Sequence, residues 1–226
     1  MHAGYFVTGT DTDVGKTLCA LALMEALKQQ GLTVAGMKPV SAGCYQTAEG
    51  FRNADADKLL AASSKPFTYQ TINPYAFEPA IAPHIAAEQL GVEMQIGRIL
   101  EHYKNISAQV DRVVVEGAGG WLVPLNSRQS LADVACALKL PVIIVVGMRV
   151  GCINHAMLTY CSIQAAGINV AGWIANQIDG DMASLNENIN CIARKFNAPL
   201  LGVIPFDRTH DSSSVLNCFD LRRIKT

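Results

Sequence analysis

The sequence has little charge and no block of basic residues. Only 16% of its 226 residues are Asp, Glu, Lys or Arg, and the formal net charge is -1. A nucleic-acid-binding surface needs clustered positive charge, so the composition argues against nucleic acid as a partner. Half of the residues are hydrophobic, which is typical of a compact globular chain rather than a disordered one.

Long apolar runs, targeting signals and patterned cysteines are also missing. No apolar stretch approaches the ~20 residues that a membrane-spanning helix requires. The first residues show no basic segment followed by an apolar one, so no signal peptide is expected. Seven scattered cysteines form no C-x-x-C pair, which predicts free thiols in a reducing compartment. We therefore expect a cytoplasmic protein that does not act at a membrane.

One segment points to chemistry. Residues 9–17 read Gly-Thr-Asp-Thr-Asp-Val-Gly-Lys-Thr, between an apolar run and a helix-like run. In that context the backbone N–H groups of the loop and the helix start form an anion site. Lys16 can reach the outer phosphates of a nucleotide, and the Thr17 hydroxyl can ligate Mg²⁺. Five residues separate Gly9 from Gly15, where the usual pattern has four, but the flanking elements favour this glycine loop over a chance helix cap.

The remaining pattern alternates short apolar runs with helix-like segments. The runs predicted to be strands are residues 5–8, 33–37, 112–116, 142–146, 170–175 and 200–204. The predicted helices are residues 16–30, 55–62, 95–107, 131–138, 154–166 and 182–196, and the proline-containing segment 63–83 is predicted to be irregular. This alternation predicts one α/β domain over residues 1–226, with three layers and a mostly parallel central sheet flanked by helices.

The carboxyl ends of parallel strands meet at one edge of a sheet, where ligands bind. Lys38 follows the second predicted strand and Glu116 ends the third, just before Gly117, Ala118, Gly119 and Gly120. A carboxylate beside a phosphate loop favours a magnesium ligand, and a second lysine can offset charge on a transferring phosphoryl group. For Lys38, an ordinary surface position is an equal interpretation.

Other polar positions leave two interpretations open. Asp55 and Asp57 open a predicted helix, and capping that helix is the favoured role for one of them. Residues 151–154 begin another helix, whose free N–H groups could hold a carboxylate, or Asn154 could cap it. Asp11 and Asp13 lie in the glycine loop, where an acid needs a metal, a lysine or a substrate amine as partner.

Taken together, these segments resemble the dethiobiotin synthetase family of P-loop proteins. The resemblance covers nearly the whole chain and is carried by residues 9–17, 38–40, 52–55, 73–75, 83–84, 115–121, 151–158, 172–176 and 199–202. It implies a homodimer that binds ATP and Mg²⁺. It also implies that 7,8-diaminononanoate reacts with CO2 or bicarbonate, that the resulting carbamate is phosphorylated by ATP, and that a second amine closes the ureido ring.

The resemblance also implies a role for individual residues. Lys38, Lys16 and Thr12 would be catalytic, and Thr17, Asp55 and Glu116 would ligate Mg²⁺. The nucleotide would be bound by Asp13, Val14, Gly15, Lys16, Thr17, Leu18, Asp55, Glu116, Gly117, Ala118, Gly119, Asn176, Gln177, Pro205, Phe206 and Asp207. The substrate would contact Ser41, Ala42, and the Gly151, Cys152, Ile153 and Asn154 helix start of the partner subunit, which favours the carboxylate interpretation of that segment.

The chain departs from the family pattern at the substrate contact. The family often has Ser at the position of Ala42, whereas this chain has the order Ser41-Ala42. The alternative function is a regulatory P-loop ATPase of the partitioning or nitrogenase iron-protein type. Such proteins usually carry a second lysine five residues before Lys16, and this chain has Asp11 there. The synthetase is therefore the favoured hypothesis.

Overall fold

The computed structural model describes residues 4–207 and 214–224. Its strands are β1 (Gly4–Gly9), β2 (Val34–Met37), β3 (Val40–Ser41), β4 (Tyr45–Thr47), β5 (Gly50–Arg52), β6 (Tyr75–Ala76), β7 (Arg112–Gly120), β8 (Val142–Met148), β9 (Val170–Gln177) and β10 (Leu200–Ile204). Six of them form the central sheet in the order β10-β9-β8-β1-β7-β2, and all five neighbouring pairs are parallel. The predicted parallel sheet is confirmed.

Helices cover both faces of this sheet. They are α1 (Lys16–Gln29), α2 (Ala54–Ala61), α3 (Tyr69–Ile72), α4 (Pro83–Gln89), α5 (Ile96–Ser107), α6 (Leu131–Leu138), α7 (Cys152–Ala165) and α8 (Leu185–Lys195), followed by two 3-10 turns, Leu216–Cys218 and Leu221–Arg223. Along β8, Ile143 and Val145 pack into one core, with α1, while Ile144 and Val146 pack into the other, with α5 to α8. Burial on both faces explains why this strand is apolar throughout.

The strand register gathers the predicted site segments at one edge. Gly9 at the end of β1 is paired with Gly120 on β7, and Val7 is paired with Glu116. On the other side, Gly147 of β8 is paired with Asn176 of β9. The glycine loop, the glycines after Glu116 and Asn176 therefore lie together at the carboxyl edge of the sheet.

The structure corrects several boundaries. β7 continues through Gly120 and β9 through Gln177, beyond their apolar runs, because ladder hydrogen bonds with neighbouring strands extend them. α7 begins at Cys152 rather than Asn154, since Gly151 adopts a left-handed conformation and is the N-cap. α8 begins at Leu185 rather than at residue 182. Asn154 therefore does not cap α7, and that interpretation was wrong.

The segment 63–83 is more ordered than predicted. It contains α3 and β6, and β6 pairs with β3 in a small parallel sheet next to Lys38. These elements have four and two residues, too few to produce a recognisable period. Within residues 4–207 and 214–224, no helix is both long and apolar enough to cross a membrane. All seven cysteines are free.

Candidate active site

The glycine loop joins β1 to α1, and its backbone conformation is unusual at two residues. Asp13 and Gly15 have φ values of 57° and 86°, so left-handed residues alternate with right-handed or extended ones along the loop. Such alternation points successive N–H groups into one concavity that suits an anion. Gly15 cannot carry a side chain, because a Cβ there would lie 2.3 Å from Nδ2 of Asn176. The loop thus has the geometry of an anion site.

Lys38 lies at the centre of a buried cluster of charges. Its Nζ donates to Oε1 of Glu116 at 2.5 Å and to Oδ2 of Asp55 at 3.0 Å. The hydroxyl of Thr17 donates to the same Glu116 oxygen at 2.8 Å. Lys38 and Glu116 are both buried, so this lysine is not at the surface. The interpretation of Lys38 as an ordinary surface lysine was therefore wrong.

The charges in the cluster shift one another's protonation. Burial lowers the pKa of Lys16, and the nearby Lys38 ammonium lowers it further. Burial alone would also lower the pKa of Lys38, but the carboxylates of Glu116 and Asp55 together raise it. For Asp55, burial is outweighed by the Lys38 ammonium, and the pKa of the carboxyl is lowered. The pKa of Lys38 is therefore raised by its two acidic neighbours, while Lys16 gives up its proton more easily than an ordinary lysine.

The oxygens of Thr17, Asp55 and Glu116 fit a magnesium site. Oε2 of Glu116 is buried and has no hydrogen-bond partner, which is an unfavourable state for a carboxylate oxygen unless it has a ligand. Across the described part of the chain, no three His, Cys, Asp or Glu side chains cluster as a metal site. Two carboxylates and a hydroxyl nevertheless suit Mg²⁺, which keeps several waters and needs few protein ligands.

Asp55 is placed by the start of α2. The N-cap of that helix is Asn53, whose side-chain oxygen accepts from the N–H groups of Asp55 and Ala56. The prediction that Asp55 or Asp57 caps the helix was wrong. Both acids lie in the first turn instead, where the helix dipole favours them. Because Asn53 takes the capping role, the Asp55 side chain is left to pair with Lys38.

A cleft of about 970 Å³ opens over the charge cluster. Its polar lining comes from loop and cluster residues and their neighbours, including Thr12, Asp13, Gly15, Lys16, Thr17, Lys38, Ser41, Asn53, Asp55 and Glu116. Apolar residues line the same cleft, among them Ala42, Ala80, Ile81, Ala82, Pro83, Ala118, Val123 and Pro124. The cleft can therefore accept a ligand with a charged end and a hydrocarbon segment.

Ser41 is turned toward the interior. Its hydroxyl donates to Oδ1 of Asn73 at 2.7 Å and lies 3.3 Å from Sγ of Cys44, and the residue is buried. Ala42 follows on the wall of the cleft without a hydroxyl. In the position where the family resemblance predicts Ser, this chain thus presents a methyl group, and the proton of the neighbouring Ser41 hydroxyl is already donated to Asn73.

Sequence reasoning missed the partner of Asp11. The carboxylate forms an ion pair with the guanidinium of Arg149, which follows β8. The backbone carbonyl of Asp11 accepts from Nζ of Lys16 at 2.9 Å. We expected a metal, a lysine or a substrate amine as the partner of an acid in the loop, and the structure supplies an arginine instead. A cation directly after a neighbouring strand was the signal that could have indicated it.

The residues predicted to frame the adenine lie near one another, and the side chains of Asn176 and Gln177 already form hydrogen bonds within the protein. Nδ2 of Asn176 donates to the carbonyl of Val14 at 2.9 Å, so this side chain braces the glycine loop. Gln177 donates to the carbonyl of Asp179 and accepts from the N–H of Phe206 at 3.3 Å. Pro205, Phe206 and Asp207 are exposed beside it. Leu18 is partly buried on α1, one residue beyond Thr17.

The start of α7 does not reach the cleft of the same chain. Gly151 and Asn154 are exposed, Ile153 is half-buried, and Cys152 is buried with its Sγ 4.0 Å from Oδ1 of Asn188. None of these four residues lines the cleft. Within one chain, the structure therefore separates this predicted substrate segment from the lysines and acids.

Similar structures share the fold. A ParA family ATPase from Chlorobium tepidum has a TM-score of 0.56 at 15% identity, covering 92% of this chain and 86% of that one. The MinD cell division protein of Aquifex aeolicus has a TM-score of 0.54 at 17% identity, covering 90% and 82%. These likenesses establish a P-loop ATPase fold.

Similar sequences identify the family. A family model described as an AAA domain matches residues 3–214. The ATP-dependent dethiobiotin synthetase of Nitrosospira multiformis is 47% identical over 224 residues, 99% of this chain and 97% of its own length. The corresponding protein of Cellvibrio japonicus is 50% identical over 201 residues, 89% and 88% of the two chains. With identity this high across nearly its full length, the chain belongs to the family of ATP-dependent dethiobiotin synthetases.

Proposed function

We propose that this protein is a cyclo-ligase that makes dethiobiotin in biotin biosynthesis. It would use ATP to carboxylate 7,8-diaminononanoate with CO2, supplied as such or as bicarbonate, and release ADP and phosphate. The observation that carries the proposal is the cluster in which Lys38 contacts Glu116 and Asp55 beside the glycine loop. The family relationship supplies the substrate.

The proposed reaction needs positioned charge more than a strong base. One amine of the diamine adds to CO2 and loses a proton, which gives a carbamate. A carbamate oxygen then attacks the γ-phosphorus of ATP, the bond to ADP breaks, and a mixed anhydride forms. The second amine attacks the carbonyl carbon, closes the ring and expels phosphate.

The polar lining of the cleft would serve the phosphoryl transfer. The backbone of residues 13–18 would bind the phosphates, and Lys16 and Lys38 would offset charge on the γ-phosphoryl group and the carbamate. Thr12 lines the same cleft and would complete the catalytic set. Thr17, Asp55 and Glu116 would hold Mg²⁺, which neutralises phosphate charge when it is bound, and Gly117, Ala118 and Gly119 would lie against the nucleotide.

The apolar lining of the cleft suits the hydrocarbon chain of the diamine. Ile81, Pro83 and Val123 would offer apolar contacts, and the chain would pass Ala42 and Ser41, which line the same cleft, toward Lys38. Asn176, Gln177 and residues 205–207 would frame the adenine. We also propose that residues 1–226 act as one ATP-binding domain, which is supported by a sheet that takes strands from β1 to β10.

We propose that the substrate carboxylate is bound by a second copy of the chain. The start of α7 has no side-chain cap, and beyond the Cys152 N–H, which bonds to the carbonyl of Arg149, its first turn has N–H groups suited to an anion. None of residues 151–154 lines the cleft of the same chain. Two large apolar side chains flank it and are strongly exposed, Val150 at 88% and Leu158 at 63%. Covering them in a homodimer would also bring this helix start toward a partner's cleft.

The regulatory ATPase alternative is less well supported. ParA and MinD proteins share the fold, so the fold does not separate the two functions. The loop position where such switches usually carry a second lysine is Asp11, and its carboxylate is paired with Arg149. The residue that distinguishes that class is therefore missing from the loop.

The function is tested by following ADP release with diaminononanoate, bicarbonate and Mg-ATP. We expect release to require the diamine, and Lys38→Ala to lower kcat by roughly 100-fold or more, because a charge on the transferring group is lost. Lys104→Ala, which removes an exposed lysine on α5, is the matched control and should retain wild-type rates. Diamine-independent ADP release, or an active Lys38→Ala variant, would refute the proposal.

A further inference from the structure

Two buried polar side chains, Tyr69 and Asn73, lie behind the charge cluster. Neither lines the cleft, so neither can touch a ligand there. Asn73 directly follows α3, and Tyr69 begins it. They form a hydrogen-bonded polar pair among buried residues that are mostly apolar.

The amide of Asn73 uses its full bonding capacity. Its Nδ2 donates to the backbone carbonyl of Lys38 at 2.6 Å and to that of Tyr75 at 3.2 Å. Its Oδ1 accepts from the hydroxyls of Ser41 and Tyr69, each at 2.7 Å. A side-chain amide has two donors and room for two acceptor contacts, and of the two amide residues only Asn has this length. Asn73 thereby fixes the backbone at Lys38.

Tyr69 connects the same amide to the start of α2. Its hydroxyl donates to Asn73 and accepts from the N–H of Asn53, the N-cap of α2, at 2.7 Å. The guanidinium of Arg52 stacks on its ring at 4.4 Å and pairs with Asp57 in the first turn of α2. Tyr69 thus holds α2 through the hydroxyl and, separately, through the ring.

We propose that Tyr69 and Asn73 are positioning residues that set the distance between Lys38 and Asp55. One chain of hydrogen bonds runs from the Lys38 carbonyl through Asn73 and Tyr69 to the helix cap that places Asp55. Lys38 follows β2, whereas Asp55 lies in the first turn of α2. Any shift of α2 relative to the backbone at Lys38 would therefore change their 3.0 Å contact. The expected effect on turnover rests on the proposed function, whereas the positioning of Lys38 and Asp55 does not.

Tyr69→Phe tests this with little disturbance. It removes the hydroxyl and keeps the ring on which Arg52 stacks. Tyr160→Phe is the matched control, because Tyr160 is also buried, its hydroxyl also accepts a backbone N–H, that of Asn197 at 2.9 Å, and its ring stacks on Phe196. Both variants lose one buried tyrosine hydroxyl, but only Tyr69 is connected to the cluster.

Three quantities are compared in the two variants and in wild type: stability to urea, kcat for ADP release, and the Mg²⁺ concentration that half-saturates ADP binding in calorimetry. We expect Tyr69→Phe to raise the half-saturating Mg²⁺ concentration and lower kcat by about tenfold each, the usual scale for residues that orient ligands. Tyr160→Phe should leave both at wild-type values. Asn73→Asp, which loses both amide donors, should act in the same direction as Tyr69→Phe.

A Tyr69→Phe variant with wild-type kcat and Mg²⁺ dependence would overturn the inference, whatever its stability. Equal changes in Tyr69→Phe and Tyr160→Phe would overturn it as well, because the effect would then follow lost stability. Wild-type protein without diamine-dependent ADP release would refute the proposed function instead. In that case the Mg²⁺ dependence of ADP binding still decides the role of Tyr69.

Discussion

At the scale of single residues, the site depends on Lys38. Its ammonium is buried between Glu116 and Asp55, and burying such charges is costly unless each is paired. A lone acid or lysine at this place would neutralise itself by shifting its pKa. Together they keep a positive charge at a fixed point next to the proposed phosphate site, where little water screens it and its electrostatic effect is strong.

Lys16 provides a pH-dependent readout of this arrangement. Its pKa is lowered by burial and by Lys38, so the free enzyme should lose ADP affinity with rising pH before reaching the ordinary lysine value of 10.5. Lys38→Met removes the repelling ammonium and leaves Glu116 and Asp55 less neutralised, and both changes favour the charged form of Lys16. We expect the loss of affinity to move to higher pH.

The measurement is calorimetric titration with ADP from about pH 7 to about pH 10.5, the range in which lysines with lowered pKa titrate. Lys104→Met changes the net charge equally from an exposed site and should follow wild type. If the Lys38→Met variant loses ADP affinity at the same pH as wild type, or at a lower pH, the proposed coupling of Lys16 and Lys38 is contradicted.

At the scale of elements, the start of α2 shows what sequence patterns leave open. Asp55 and Asp57 had the composition of a helix start, but the cap is Asn53, because its side chain is the one within reach of the Asp55 and Ala56 N–H groups. The resemblance had implied that Asp55 is a metal ligand. Its side chain is available for that role because Asn53, and not Asp55, caps the helix. Several acceptable caps within a few residues cannot be ranked without the backbone path.

Asn53→Ala should therefore destabilise the protein by about 1 kcal/mol through the lost cap. Gln95→Ala is the control: Gln95 is the N-cap of α5 but makes no side-chain capping bond, and it is exposed. Its replacement should change the free energy of unfolding by less than about 0.5 kcal/mol. Urea denaturation of both variants measures the difference, and equal stabilities would argue against the assigned cap.

At the scale of the whole molecule, the two halves of the proposed substrate site do not share one cleft. The lysines and acids line the cleft, whereas the start of α7 lies outside it, beside exposed Val150 and Leu158. A molecule that binds both ends of one substrate would then need two copies of the chain. The family resemblance had implied such a dimer, and it stays a proposal.

Leu158→Glu should weaken dimerisation, because it places a charge at the centre of the proposed apolar contact. We expect a loss of about 2 kcal/mol in association free energy, roughly thirtyfold in Kd. Sedimentation velocity over a concentration series measures this. Leu90→Glu changes a similarly exposed leucine, at 57%, directly after α4, and should not alter the association. Unchanged association of Leu158→Glu would place the interface elsewhere.

The sequence by itself determined the six strands of the parallel sheet, six of the eight α-helices and the glycine loop, but not α3 and α4. Burial on both faces and the Gly-Lys-Thr turn produce patterns that span only neighbouring residues. It also determined the family, through motifs spread along the chain. The tertiary structure alone decided that Lys38 is buried between Glu116 and Asp55, that Arg149 pairs with Asp11, and that Asn73 and Tyr69 join α2 to Lys38. Those contacts join residues far apart in the sequence, and side-chain hydrogen bonds between distant segments leave no periodic signal.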